Sequence, residues 1–533
     1  MTTDGNIEKN HRFSKFLKRS LALQALVGAA WASGKVNGVI AGLSRPRKPF
    51  EWKPEAGHSV LLKGVDVVDV ARGRHQRERG ILCRDSRIVE IVSTRDLDSA
   101  SADRVFDCRG LIAIPGLINS HCHTMMPGAI TMNYDLGLSL KRQMFRNLEE
   151  CPVHGVTTVR DAASMPMLFA LLARKTEEFK LLGPRMMGCG SGIKTPGGYP
   201  DFSRQMPDFL MSKWGQFNLE INDPESGREA VKLLAGQGAR FIKLSFDDQS
   251  LFYGHKKLTV PDDDTVRAVV DEAHGMGKRV CVHQTRLQGF RKALRTGIDD
   301  FEHVPVDGLL TDKDIDEFMN GDHHITPTAI VAMCIGIARD DHPALGNPLV
   351  EWIQKVRERL QHEIAPAVAE AAVVRSINLL VRTVKSVAGN SPRFNPFVPM
   401  LPDPEPFFCG YGEANIMKLY QAGAKLCCGN DGGVQLTWPG TLFLEMEILE
   451  QIGVSRADIL RAATLNGADL LGVKDELGSL EPGKVADIVL LSSDPLADMK
   501  GVERVEAVFR SGALLHYGPG FQLKSEAGIL ASQ

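Results

Sequence analysis

The sequence predicts a mixed α/β protein: a (β/α)8 TIM barrel with a composite small β-sandwich domain built from segments before and after the barrel. Three observations lead there. Short alternating strand-like runs occur near both ends of the chain, and apolar runs alternate with helical segments between them. Several of the central runs also end in a residue able to bind a metal ion. The length, 533 residues, exceeds one minimal core and suits a large barrel with an accessory domain.

Residues 1–56 form an N-terminal arm in which basic "HRFSKFLKRS" precedes apolar "LALQALVGAAWASGKVNGVIAGL". The order is that of a secretory signal ending near "AAWAS". Against export, the basic part is long, Gln24 interrupts the apolar core, and Lys35 prevents a spanning helix of about 20 apolar residues. The expectation is an amphipathic packing arm, no integral membrane segment and a cytoplasmic location.

Next come "SVLLKGVDVVDV", "GILCRDSRIVEIV" and "RVFDCRGLIAI", short runs separated by Gly and charged turns. They read as a small β layer over 57–113, completed by 476–518, where "LGSLEPGKVADIVLLSSDPLADMKGVERVEAVFRSGALL" returns to short strands. Residues 519–533 form a tail. Between the two halves, 114–475 reads as repeated βα units. Their strands are the run ending at His121, then "GVTTVRDA", "GPRMMGCG", "ARFIKLSFDD", "RVCVHQT", "DDFEHVP", "HHITPTAIVAM" and "AKLCCGNDGG", with helices such as "PDDDTVRAVVDEAHGMG" between them. Eight such strands close a barrel. An insertion at about 336–410, helical and then Pro-rich, exceeds a minimal barrel and reads as a lid or interface element.

Lys and Arg (63) nearly balance Asp and Glu (65), for a net charge of -2, so nothing favours a polyanion and nucleic-acid binding is not expected. The 10 cysteines are scattered, with Cys122 and Cys281 inside apolar runs, which reads as buried free thiols in a reducing compartment.

The chemistry starts at "GLIAIPGLINSHCHTMM". In a strand, alternate side chains share a face, so His121 and His123 project together while Cys122 points away. Two neutral imidazoles suit a divalent metal, but two ligands do not hold one tightly. Further strand ends supply Lys243 in "FIKLSF", His283 in "CVHQT", His303 in "FEHVP" and Asp431 in "CCGNDGG". Barrel active sites lie at the C-terminal ends of strands, so all six groups are candidates for one cavity. Any one of them alone reads as a strand-end, turn or hydrogen-bonded residue; their order along the chain argues otherwise. His274, His323, His324 and His362 lie in helical or turn contexts and read as structural or exposed.

The order His-x-His, Lys, His, His, Asp resembles the amidohydrolase superfamily. "IPGLINSHCH", "HGVTTVRDA", "DDFEHVP" and "LGSLEPGKVADIVLL" carry the resemblance, which runs from about His58 to His516. Within the superfamily the chain is most similar to imidazolonepropionase-related and Xaa-Pro dipeptidase-like hydrolases with a metal-bridging lysine. The resemblance implies two divalent metal ions, zinc by ligand type. His121 and His123 would hold one, His283 and His303 the other, and Lys243 would bridge them as a carbamate derived from carbon dioxide. Asp431 would bind the first metal and act as the catalytic acid and base. A small-molecule amide or peptide substrate is also implied, and with the insertion as an interface element a homo-oligomer is expected. A mononuclear cyclic-amide hydrolase or deaminase is the alternative enzyme, distinguished by an unmodified Lys243. A non-catalytic scaffold is the alternative from another class, disfavoured because a scaffold has no physical need for six clustered polar ligands.

One departure concerns substrate choice. In "CGSGIKTPGGYPD" Tyr199 follows Gly197 and Gly198, where the dipeptidase-like proteins tend to have Gly-Gly-His. Tyr199 is a substrate hydrogen-bonding or a loop-packing residue, and Arg160 and Lys194 are either cations for a substrate carboxylate or, more often for such residues, structural or exposed cations.

Overall fold

A computed structural model describes residues 57–96, 102–128, 134–200, 216–249, 257–331, 348–370, 373–374, 411–434, 436–518 and 521. The N-terminal arm, most of the insertion and, apart from Phe521, the C-terminal tail lie outside the described residues.

Eight strands from both sides of the central region form one sheet: β1 (Ser59–Asp69), β2 (Arg74–Arg84), β3 (Arg87–Ser93), β4 (Arg104–Asp107), β5 (Ile112–Pro115) and, late in the chain, β16 (Ile488–Leu491), β17 (Val505–Arg510) and β18 (Ala513–Tyr517). The join is antiparallel, with β16 beside β5 from Ile488 opposite Pro115 to Leu491 opposite Ile112. Strand alternation explains how the sheet serves two cores. Val60, Leu62, Ala113, Ile488, Leu490, Ala507 and Phe509 face a core of the sheet's own, in which the Phe106 and Phe509 rings meet at 5.8 Å. Ile114, Val489, Leu491 and Val508 face the other way, into the core of the central region.

The central strands are parallel. One sheet runs β6 (Leu117–Cys122), β7 (Val156–Asp161), β8 (Arg185–Gly188). The other runs, in spatial order, β10 (Asn218–Glu220), β9 (Gly192–Lys194), β11 (Ile242–Ser245), β12 (Val280–His283), β13 (Asp300–Glu302), β14 (His324–Thr326), β15 (Lys425–Leu426). Every residue of β6, β7 and β12 is buried, as expected where helices cover one face and a packed interior the other. Hydrogen bonds link the two arcs: Ser120 N–H donates to the Cys428 carbonyl at 2.9 Å and Asp431 N–H to the His121 carbonyl at 2.9 Å. On the other side Arg240 N–H reaches the Gly188 carbonyl at 2.9 Å. The two arcs are thus bridged on both sides without forming one continuous ladder.

Helices between the strands begin where sequence supplies caps. Asp262 accepts from Thr265 N–H ahead of helix Asp263–Gly275, whose first turn carries Asp263 and Asp264, favourable beside the positive end of the helix dipole. The described part of the insertion, helix Pro348–Arg359 and the turns to Val368, packs Leu349, Ile353, Val356, Leu360 and Ile364 into the main core. The eight described cysteines are free and buried.

Candidate metal centre

The site is set by what happens at the strand ends. His303 (φ 68°), Thr328 (φ 50°) and Asp431 (φ 49°) all adopt left-handed backbone conformations, rare for residues with side chains and concentrated at functional sites. The turn at Asp431 is crowded by design of its sequence: a Cβ at Gly433 (φ 112°) would lie 2.2 Å from the His123 carbonyl oxygen, and one at Gly429 2.6 Å from His121 N. Only glycines allow the last strand to approach β6 this closely.

That approach delivers Asp431 to the histidine pair. Its Oδ1 lies 3.2 Å from Nε2 of His121 and 3.2 Å from Nε2 of His123. The three ligand atoms fall within 4.8 Å of one another. Asp431 Oδ1 is buried and, though close to both Nε2 atoms, has no well-aligned hydrogen-bond partner. Across the same space the His121 and His303 rings are 5.2 Å apart, and Nδ1 of His283 faces Nε2 of His303 at 2.9 Å. Lys243, 5% exposed, lies beside Glu302, with Nζ 3.9 Å from Oε1 and no hydrogen-bond partner. The structure therefore brings all six sequence candidates to one region.

Each imidazole is held by one nitrogen and leaves the other facing inward. His121 Nδ1 donates to Glu302 Oε2. His123 Nδ1 meets the Ala163 carbonyl at 3.2 Å, His283 Nε2 meets Asp247 Oδ2 at 2.9 Å, and His303 Nδ1 meets Thr328 Oγ1 at 2.5 Å. Anchoring the outer nitrogen fixes tautomer and ring direction, the arrangement metal-binding histidines need. His121, His123 and Asp431 offer two imidazole nitrogens and a carboxylate oxygen close enough together to hold one divalent cation of the zinc or manganese type, with the facing His283 and His303 pair and the unpartnered Lys243 nitrogen nearby.

At Asp431 and His303 the electrostatics favour the charge states a metal needs. Burial works against ionising Asp431, but His121 and His123 outweigh it and hold the carboxyl well below the usual range. Burial likewise opposes the Glu302 carboxylate, and His121, Lys243 and Arg160 reverse that. Burial, reinforced by His283 and His121, pushes His303 well down, leaving a neutral imidazole suited to a metal.

Glu302, Asp247 and Thr328 were not singled out from sequence. "FEHVP" held the only available signal for Glu302, a carboxylate next to a candidate histidine inside an apolar run. Of the two readings of Arg160, its contacts support the structural one. It is 1% exposed, pairs with Glu302 and with Asp300 at 3.2 Å, and stacks 3.9 Å above the Phe241 ring. Its guanidinium is committed beneath the site, because two buried carboxylates require it there. Lys194 is buried near Glu220 Oε1 at 3.3 Å. Tyr199 stacks on His283, with ring centroids 4.1 Å apart and planes 15° from parallel, and so walls one side of the centre. His324 is structural: buried, bonded to Arg279 and to Asp469, and remote from the six groups in its contacts.

The amidohydrolase family pattern matches residues 112–515. The chain belongs to the amidohydrolase family. It is a hydrolytic enzyme, and the family generally uses divalent metals. Among relatives, ochratoxinase of Aspergillus niger is 23% identical over 526 residues, covering 91% of this chain and 92% of that protein. A 5'-deoxyadenosine deaminase of Methanobrevibacter smithii is 19% identical over 438 residues, 82% of this chain and 83% of that one. Among solved structures, a Xaa-Pro dipeptidase with methionine bound in its active site superposes with a TM-score of 0.62 at 22% identity, covering 86% of this chain and 100% of that chain. No helix among the described residues is long and apolar enough to cross a membrane.

Proposed function

We propose that this amidohydrolase is a binuclear metal-dependent enzyme cleaving the amide C–N bond of an N-acyl amino acid, a dipeptide or a related amide. The observation that carries the reading is the set of four histidines, each anchored at its outer nitrogen and directed inward around Asp431 and Lys243. His121, His123 and Asp431 would hold one ion and His283 and His303 the other, with Lys243, as a carbamate, the ligand shared by both. An ammonium has no lone pair to offer, whereas the carbamate formed from its neutral amine carries anionic oxygens.

When bound, two divalent ions supply Lewis acidity that lowers the pKa of water and polarises the scissile carbonyl. Asp431 Oδ1 takes the proton of the attacking water and returns it to the leaving nitrogen as the C–N bond breaks. The glycine-lined turn holds that oxygen between the two Nε2 atoms, where such a proton has a short path. Tyr199, flat against His283, restricts the approach of substrate from its side. The names of the relatives support the bond class: a Xaa-Pro dipeptidase cleaves an amide. The competing reading, a one-metal deaminase, draws on the His121, His123 and Asp431 group alone and on the deaminase relative.

The test is Asp431→Asn assayed against N-acyl amino acids, dipeptides and aminopurine nucleosides. The expected variant keeps its fold and loses at least ~100-fold in amide turnover, the scale of a lost general base. Full amide turnover in the variant would exclude the role of Asp431. Wild-type deamination without amide cleavage would replace the binuclear reading with the one-metal one.

A further inference from the structure

Helix Leu442–Ile452 follows the Asp431 turn and is buried along most of its length. Within it Glu445 is fully buried, 0% exposed, and has a job no part of the proposed reaction uses. Both carboxylate oxygens are committed: Oε1 accepts from Ala329 N–H at 2.9 Å and Oε2 from Ile330 N–H at 2.8 Å. Those amides belong to the turn after β14 that starts at Thr328. Thr328 is a β-branched residue at φ 50°, a conformation it adopts only under constraint, and its Oγ1 is the partner of His303 Nδ1 at 2.5 Å. His303 is itself at φ 68°. Two left-handed residues that follow different strands are therefore joined by one hydrogen bond, and the backbone immediately after the second of them is held by a carboxyl from a third element.

We infer that Glu445 is a positioning residue for the half-site of His283 and His303, acting through the Thr328 turn on the direction of the His303 ring. The inference rests on the binuclear reading and deepens it. Burial pushes the Glu445 carboxyl up to about 8, while the two amides, one to each oxygen, draw it back. Glutamine cannot replace it in full, since an amide offers one acceptor oxygen and turns an NH2 group toward the second backbone N–H. Valine at 328 keeps the shape of threonine and removes the hydroxyl, whereas serine keeps the hydroxyl.

The experiment titrates the full chain, stripped of metal and supplied with bicarbonate, with cobalt(II), following visible absorption and heat, for wild type, Glu445→Gln, Thr328→Val, Thr328→Ser and the Glu445→Gln/Thr328→Val double variant. The expected result is two equivalents in wild type and Thr328→Ser. In Glu445→Gln and Thr328→Val the second equivalent weakens ~10-fold or more with the first unchanged, the scale seen when a ligand's outer partner is removed. Because both act along one path, the double variant weakens little beyond either single one. A Glu445→Gln protein that melts earlier but binds both equivalents like wild type overturns the inference and makes the residue purely structural. Additive losses in the double variant overturn the route through Thr328. A wild type that takes up only one equivalent removes the binuclear reading itself, and this inference with it.

Discussion

Asp247→Asn changes one charge and almost no volume beside His283. Asp247 Oδ2 accepts from His283 Nε2 at 2.9 Å and from the Thr285 hydroxyl at 2.7 Å, and Oδ1 accepts from Thr285 N–H at 2.9 Å. Asparagine has a single oxygen. The backbone N–H of Thr285 can only donate, so that oxygen stays on the Oδ1 side and the NH2 group turns toward Nε2. The imidazole then has to present a lone pair at Nε2, which moves its proton to Nδ1, the atom facing His303 Nε2 at 2.9 Å. That is the nitrogen a metal requires free. Loss of such an outer partner costs about 10–100-fold in metal affinity, or roughly 1.4–2.8 kcal/mol. Fold stability changes less, by about 1 kcal/mol, because one charge-assisted bond becomes a neutral one. Cobalt(II) titration of the variant, with urea unfolding of the metal-free protein, separates the two effects. Wild-type affinity for both equivalents in Asp247→Asn would refute the claim that the outer nitrogen sets the ligand tautomer.

Three further outcomes follow from the same contacts. Arg160→Met leaves Asp300 and Glu302 without their shared cation and is expected to cost about 3–5 kcal/mol by urea unfolding; a stable variant with altered preference between carboxylate-bearing and neutral substrates would return Arg160 to substrate binding. Stability is expected to fall with acid through His154 and His324, both pushed down by burial to about 4. Their unfolded value lies near 6.5, so the unfolded chain binds protons first, and stability present above about pH 6.5 is lost as pH drops toward 4, by about 2 kcal/mol per histidine at pH 5. Urea midpoints at pH 7 and 5, compared with His324→Asn, check the slope; an unchanged slope in the variant counts against His324. Lys243→Ala is expected to lower metal content, as developed below.

The barrel ligands were legible because each strand end follows a fully buried apolar run, so the polar residue closing the run is conspicuous: His283 after "VCV", Asp431 after "LCCGN". His121 and His123 share a face by strand alternation alone. Their partners were not legible for the same reason. Glu302 and His303 are adjacent, and alternation assigns adjacent residues to opposite faces, yet both serve one centre. The left-handed backbone at His303 breaks the alternation, and nothing in "FEHVP" announces it. Asp247 stands next to Asp248 in a charged loop where sequence offers no means of choosing between them. A structural role for Arg160 was open in the sequence, but only the three-dimensional meeting of β7 with β13 reveals the carboxylates that hold it. In the β layer, alternation did carry the register: odd and even residues of β16 feed two different cores. The composite domain boundaries at 57–113 and 476–518 and the lid or interface role of 336–410 stand as proposals, the latter falling mostly outside the described residues.

The central claim is a lysine-bridged pair of metal ions, and metal content tests it most directly. The full chain is prepared with bicarbonate and with zinc or manganese, alongside Lys243→Ala, and metal per protomer is measured by elemental analysis. A lysine-bridged pair gives close to two ions in wild type and one or fewer in the variant. One ion in both proteins, indifferent to Lys243, or none in either, would contradict it.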